Sequence, residues 1–412
     1  MAKLCVRLCE VGPDARVRLR RCTGTEGARS RPAMDASAVP DLGPKIRSLR
    51  VRRGQLELAP AIAAVEVALP RHRYRQQELA ELAERFLPPA LLKDGTLARL
   101  FQRVGVKERY LALPAERYSE LRGLEQRNNA WLEVATSLGR DVVAKALASA
   151  GVHPREIGLL ATTTVTGIAV PSLDARLMNL LPFDPALKRM PLFGLGCLGG
   201  AAGLARAAEY LRAFPDELAV FLSVELCSLT FQPHDGSLAN LISTGLFGDG
   251  AAAVVLAGAR HPLANRPARP KIVASRSAFF PNTERVMGWD VVDTGFRIVL
   301  SAEVPKICAE HAAPAVDAFL ASQGLERADV RSWIMHPGGP KVIDALEAAL
   351  GLAPEALKPT RDSLANVGNL SSASVLFLLE EHRRRLAPAR GTHSILMAMG
   401  PAFCAEMVLL QW

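Results

Sequence analysis

"ALASAGVHPREIGLLATT" at 146–163 and "FLASQGLERADVRSWIMH" at 319–336 align without a gap at an offset of 173 residues. Leu147, Ala148, Ser149 and Gly151 fall on Leu320, Ala321, Ser322 and Gly324. After each glycine an acidic turn leads into an apolar run. Each copy therefore predicts a helix stopped at glycine and then a buried strand. A period this long reads as a duplicated half-domain rather than a solenoid repeat.

Other segments extend the pattern. "ELAVFLSVELCSLTF" (217–231) and "GAAAVVLAG" (250–258) are apolar on both faces, as strands of a covered sheet are. "RMPLFGLG" reads as a strand and "LGGAAGLARAAEYLRAF" as a helix whose stripe is Leu198, Ala201, Leu204, Ala205, Ala208 and Leu211. Helices alternating with such strands imply a layered α/β architecture. The offset carries Cys197 to position 370, beside Asn369 in "GNLSSASVLFLLEEHRRRL" (368–386), so the two residues sit at equivalent helix starts.

Composition narrows the function classes. The 412 residues are 49% hydrophobic, enough for a large core. No apolar stretch approaches the roughly 20 residues that span a bilayer. The first residues are broken by charge and lack the apolar middle of a secretory signal, so cytoplasm is the expected location. Of the net charge of +9, residues 1–58 hold +7, with 13 Lys/Arg against 6 Asp/Glu. This Arg-, Gly-, Pro- and Ser-rich arm has no sustained periodicity and is expected to be disordered; Met34 is an alternative start. The remainder is nearly neutral, which argues against a nucleic-acid partner. Cys5, Cys9, Cys22, Cys197, Cys227, Cys308 and Cys404 are odd in number and form no C-x-x-C pair. That speaks against a disulfide framework or a zinc site.

Three residue types stand out at loop junctions. Cys197, between glycines where a strand turns into a helix, is either a small buried filler or a nucleophile. In the second case the helix N-terminus would lower its pKa and favour the thiolate. His336 ends the strand of "WIMHPGGPKVIDALEAAL", where Pro-Gly-Gly stops the sheet and puts the imidazole at a sheet edge that binds ligands in open α/β folds. Asn369 reads as a helix N-cap or as a site amide, with Asn366 as its competitor. Together they can run one chemistry. A thiolate paired with the imidazole takes an acyl group from a thioester, and imidazole and amide donate to a developing enolate oxygen. Decarboxylation of a malonyl unit supplies the carbanion, so no carboxylate base is needed. Neither a dinucleotide fingerprint nor a phosphate loop is present.

These motifs resemble the type III polyketide synthases, the chalcone synthase superfamily on the thiolase fold. The likeness runs from about residue 60 to the C-terminus. It rests on "GLGCLGG", "GLFGDGAAAVVL" (245–256), "WIMHPGGP", "GNLSSASVLFLLEE" and "MAMGPAF", in that order. β-Ketoacyl carrier-protein synthase III enzymes share the Cys, His, Asn logic, but His-Pro-Gly-Gly and Gly-Asn-x-Ser-Ser are similar to the type III group.

The resemblance implies a five-layered αβαβα body with one half at 59–265, carrying Cys197, and a second at 266–412, carrying His336 and Asn369. It implies Cys197 as the nucleophile, and His336 and Asn369 as the groups that drive malonyl-CoA decarboxylation. Phe247 would be the gatekeeper between CoA tunnel and cavity. The second gatekeeper position falls at Ile298, with Phe296 two residues earlier. Arg99 and Arg103 match CoA-phosphate positions; Thr166, Cys227, Thr230 and Ser371 match cavity positions. Gly400 and Pro401 belong to the C-terminal loop, where Ala402 stands in place of a glycine of plant relatives. No metal or redox cofactor is implied, since the CoA thioesters are substrates. A homodimer is implied, its loop near Val170 reaching toward the partner's cavity.

The expected reaction is iterative condensation of malonyl-CoA onto an acyl-CoA starter, then cyclisation. Small Val165 and Cys227, with the likeness of "VMGWDVVDTGFRIVLSAEVP" to alkylpyrone and alkylresorcinol synthases, favour a long-chain fatty acyl starter. The alternatives are a short or malonyl-only starter giving a tetrahydroxynaphthalene- or phloroglucinol-type product, or a synthase III-like enzyme.

Overall fold

The computed structural model describes residues 57–85, 87 and 95–412. Nearly all of the basic arm at 1–58 lies outside these residues. The strands are β1 (Ala61–Ala68), β2 (His72–Arg75), β3 (Glu108–Leu111), β4 (Ile157–Thr164), β5 (Lys188–Phe193), β6 (Leu218–Leu226), β7 (Asp249–Ala257), β8 (Lys271–Phe279), β9 (Met287–Val292), β10 (Gly295–Leu300), β11 (Val330–Met335), β12 (His393–Gly400) and β13 (Cys404–Gln411). The α-helices are α1 (Gln76–Glu84), α2 (Thr96–Arg103), α3 (Leu124–Ala150), α4 (Leu173–Leu177), α5 (Gly199–Ala213), α6 (Leu238–Leu246), α7 (Val304–Ser322), α8 (Pro340–Leu350), α9 (Lys358–Val367) and α10 (Ser374–Glu381).

The central sheet repeats one topology twice. Its order is β11-β12-β13-β8-β1-β7-β6-β4-β5, and β1 meets β8 where Ala61 faces Lys271. Outward from that junction each half places its first strand, its last strand antiparallel to it, then an earlier pair that runs parallel (β6 with β4, β12 with β11). The repeat seen in the sequence lies in step within this frame. The 3₁₀ turn Pro154–Glu156 and β4 in one half recur as the turn Arg327–Asp329 and β11 in the other. Gly151 and Gly324 both adopt left-handed backbone, φ 70° and 69°, which a β-carbon disfavours. The halves are unequal: among the described residues, β5 has no counterpart in the second half.

Alternation along the strands assigns the layers. On β6, Val220, Leu222 and Val224 pack with Val142, Val143 and Ala146 of α3 in an outer core. Ala219 and Phe221 point the other way, into a middle core with Leu204 and Ala208 of α5 and Leu376 and Leu379 of α10. Ile334, Leu396 and Val408 reach the same middle core from the second half. Trp333, Met397 and Leu409 face the opposite side, against Val316 and Phe319 of α7 and Ile343 of α8. The body is thus five-layered, helix–sheet–helix–sheet–helix, with α5 and α10 buried at the centre. Burial on both sides explains why β6 and β7 are largely apolar. Pro191, which lacks an N–H, is tolerated because β5 is an edge strand.

Candidate active site

The two central helices begin beside each other, and their first turns form the site. Cys197 lies in the single 3₁₀ turn Gly196–Leu198 between β5 and α5. Gly194 and Gly196 reverse the chain with φ 83° and 52°. A β-carbon at Gly196 would stand 2.5 Å from Pro401, and one at Gly400 2.7 Å from the Leu195 carbonyl oxygen. The loop at Gly400–Pro401 therefore closes onto the cysteine turn. Ala402 and Phe403 continue it with φ 56° and 25°, a backbone that a β-carbon disfavours.

From the other half, Asn369 follows α9 and precedes the turn Ser371–Ala373. Its Oδ1 accepts from the Ser371 N–H at 2.8 Å. Its N–H donates to the Leu246 carbonyl and its carbonyl accepts from Gly248, both at 2.9 Å, which fastens it to Phe247. The side chains of Ser371 and Asn369 draw the Cys197 pKa down. Asn366 is exposed on α9, so Asn369 is the amide at the site.

His336 leaves the end of β11, its N–H held by the Met397 carbonyl at 2.9 Å. The imidazole is buried, and neither ring nitrogen has a hydrogen-bond partner.

One expectation is corrected here. The helix N-terminus does not hold the Cys197 pKa down: burial pushes the thiol up to about 12, beyond what Ser371 and Asn369 draw back. Burial also pushes the His336 imidazole down to about 3.

Glu225 escaped the sequence reading. It is wholly buried in β6 and accepts from Thr166 Oγ1 (2.9 Å), the Val165 N–H (3.1 Å) and the Ser372 hydroxyl. Burial pushes it up to about 7, and its charge helps to raise Cys197. One carboxylate within a largely apolar strand, two residues before Cys227, was the available clue.

A small cavity of about 80 Å³ adjoins the site, with Phe247, Cys227, Thr230 and Ile298 in its wall. None of Cys197, His336 or Asn369 lines it. Thr166 does not line it either, because its hydroxyl is turned to Glu225 and to the Leu226 N–H (3.0 Å). Val165 also lies outside the lining. So do Ser371, Gly400 and Pro401, which touch the cysteine turn instead. Arg99 and Arg103 occupy the exposed face of α2, away from the wall. Phe296 is buried, with its carbonyl accepting from Gln232 at 3.3 Å, so Ile298 alone of that pair faces the cavity. The wall residues that were not anticipated include Trp289 and the buried Arg109.

Among the described residues, no group of three or more His, Cys, Asp or Glu is placed to hold a metal ion. No helix there is long and apolar enough to cross a membrane.

Comparison with known proteins now decides the family. Residues 50–260 match the N-terminal domain of chalcone and stilbene synthases, and residues 271–412 match their C-terminal domain. The chain belongs to the chalcone and stilbene synthase family. It is 48% identical over 363 residues to the 1,3,6,8-tetrahydroxynaphthalene synthase of Streptomyces peucetius, a match spanning 88% of this chain and 95% of that enzyme. The phloroglucinol synthase of Pseudomonas fluorescens is 30% identical over 348 residues, 84% of this chain and 97% of that one. Among solved structures, the 1,3,6,8-tetrahydroxynaphthalene synthase of Streptomyces coelicolor, a bacterial type III polyketide synthase, superposes with a TM-score of 0.79 at 32% identity. That superposition covers 85% of this chain and 99% of that one. The chain is thus a type III polyketide synthase, an acyltransferase on the thiolase-like fold.

Proposed function

We propose that this synthase condenses malonyl-CoA iteratively, starting from malonyl-CoA itself or another short acyl-CoA, and closes the chain to a phenolic product of tetrahydroxynaphthalene or phloroglucinol type. The observation that carries this reading is the 48% identity to the Streptomyces peucetius tetrahydroxynaphthalene synthase over 95% of its length. It replaces the sequence-based preference for a long fatty acyl starter. That preference rested on the likeness of residues 286–305 to alkylpyrone and alkylresorcinol synthases and on small residues at 165 and 227, of which only Cys227 reaches the cavity.

The residues divide the chemistry. Cys197 gives its proton to His336 and attacks the starter thioester carbonyl, and CoA leaves as the thiol. Malonyl-CoA loses CO₂, and the electron pair left on carbon delocalises onto its thioester oxygen. There a His336 N–H and the Asn369 amide donate, a preorganised pair of dipoles where charge develops. The carbanion attacks the acyl-Cys197 carbonyl, sulfur departs, and the chain, two carbons longer, rests on CoA until Cys197 takes it back. Arg99 and Arg103 fit the CoA phosphates as exposed cations. No metal or redox cofactor enters these steps.

The same reading makes the enzyme a cytoplasmic homodimer. Val170 is 92% exposed and, with exposed Ile168, Leu180 and Phe193, leaves apolar groups around the β4–β5 edge for a partner to cover.

The test incubates the protein with malonyl-CoA alone and with starters from acetyl- to palmitoyl-CoA, products read by mass. The reading expects an aromatic product from malonyl-CoA alone that vanishes in Cys197→Ala. Alkylpyrone masses that peak with long starters, with nothing from malonyl-CoA alone, would restore the long-chain reading.

A further inference from the structure

A second and wider cavity, of about 660 Å³, adjoins the first at Tyr118, whose side chain lines both. None of Cys197, His336, Asn369, Arg99 and Arg103 lines the second one. Its wall comes from the turn before α3, the loop after Thr230 and the tip of the β9–β10 hairpin. Four arginines meet there: Arg85 just after α1, Arg122 just before α3, Arg127 near the start of α3, and Arg297 on β10. Asp235 and Asp293 are the carboxylates of the wall, two against four. Asp235 accepts the Ser237 N–H at 2.9 Å, and Arg297 is paired with Asp290 at 3.2 Å. Among the described residues, Arg85, Arg122 and Arg127 form no ion pair.

Arg127 is the residue that calls for a ligand. It is only 3% exposed. Its Nη1 and Nη2 donate to the Leu229 and Leu121 carbonyls over long bonds, 3.4 and 3.2 Å, and its Nε has no partner. The hairpin turn closes over it at Gly295, where a β-carbon would stand 3.3 Å from Arg127 Cδ. A buried cation without a counter-charge destabilises the fold around it unless an anion arrives. Helix α3, 27 residues long, begins beside it with no side-chain cap, so its dipole adds to the positive field. Glu125, the acid of that first turn, is exposed and outside the wall. Guanidinium forks match the paired oxygens of carboxylates and phosphates.

We propose that this second cavity is an oxyanion site, in which buried Arg127, with exposed Arg85 and Arg122, binds the carboxylate or phosphate group of a small molecule, apart from Cys197 and from Arg99 and Arg103. The readout is binding, so failure of this site and failure of the proposed reaction are told apart.

The test is calorimetric titration of the full chain with inorganic phosphate, pyrophosphate and citrate, at constant ionic strength so that general screening stays fixed. The wild type should bind at least one of them at one site per chain, at millimolar concentration or below. Tighter pyrophosphate marks a phosphate site, and tighter citrate a carboxylate site. Arg127→Gln loses charge-assisted bonds and should weaken that binding about tenfold or more. Arg122→Gln, at an exposed position, should weaken it about threefold. The double variant Arg99→Ala, Arg103→Ala should bind as the wild type does. Affinity unaltered in folded Arg127→Gln, binding that disappears with Arg99 and Arg103, or no binding of any probe overturns the proposal. If circular dichroism shows that Arg127→Gln does not fold, unaltered affinity in Arg122→Gln overturns it equally.

Discussion

Gly200 lies so close to Ser372 that a β-carbon on the glycine would overlap the Ser372 carbonyl oxygen. This is where the central helices α5 and α10 begin side by side. Gly199 repeats the closeness, its missing β-carbon falling 2.8 Å from Thr163 Oγ1 and 3.2 Å from the Ser372 β-carbon. The pair of glycines after Cys197 thus lets Asn369 and Ser371 reach the thiol.

Gly200→Ala should therefore separate the two helix starts. Overpacking of this kind costs about 1–3 kcal/mol, and here the obstacle is main chain, which cannot rotate away. The expected outcome is a lower urea midpoint and loss of most condensing activity, with far-UV circular dichroism unchanged. Wild-type activity in a folded Gly200→Ala protein would show that the close approach is not needed.

The resting thiol sets a second expectation. With Cys197 pushed up to about 12 and His336 down to about 3, the free enzyme holds little thiolate at neutral pH. Alkylation of Cys197 by iodoacetamide should then rise about tenfold per pH unit from 7 to 9, following the thiolate fraction. A rate that levels off below pH 8 would mean that an ion pair already exists in the free enzyme.

The fold was legible because burial leaves patterns in sequence. The repeat at an offset of 173 residues matched turn with turn and strand with strand. The apolar runs of β6 and β7 announced a sheet covered on both faces. Cys197, His336 and Asn369 could be named because each follows or precedes a break that only a loop junction tolerates. What stayed hidden depends on direction rather than composition. Nothing at Thr166 says that its hydroxyl turns to Glu225 instead of the cavity. Trp289 joins the wall only because the β9–β10 register places it opposite Ile298. The thiol's pKa was misjudged because a helix N-terminus is visible in sequence and desolvation is not.

Glu225 gives stability a pH dependence whose sign can be worked out. Burial raises its folded-state pKa to about 7 from an ordinary value of 4.5. The folded state therefore holds this proton more tightly than the unfolded chain. Its contribution is fully present below about pH 4.5 and is lost as pH rises through 7, with a total span of roughly 3 kcal/mol at about 1.4 kcal/mol per unit. Asp249, raised to about 6 by burial, acts in the same direction. Buried His336 and His382, whose pKa burial lowers, act in the opposite sense below about pH 6.5, so the two proteins are compared with each other: as pH rises from 5 to 8 the urea midpoint of the wild type should drop relative to that of Glu225→Gln. Equal slopes in the two proteins would show that Glu225 does not titrate in this window.

Arg109 is the remaining point where stability and site geometry meet. It is the buried donor for Gln76 Oε1 and for the Phe247 and Thr244 carbonyls, and the packing of Gly368 onto its side-chain methylenes places it directly under Asn369. Arg109→Met keeps the apolar length but leaves three buried acceptors without donors, at a cost on the order of 3 kcal/mol. It also removes a cation whose charge draws the pKa of Asp249 down, so that carboxyl should rise further. Because Phe247 and Asn369 are paired through main chain, both should shift, and kcat should fall by more than KM rises. Arg109→Lys restores the charge without the fork of donors, so it should recover part of the stability and little of kcat. Steady-state kinetics with malonyl-CoA and urea titration of the three proteins check this. A lysine variant with wild-type kcat would mean that charge alone, and not the hold on the Phe247 carbonyl, is what the site requires.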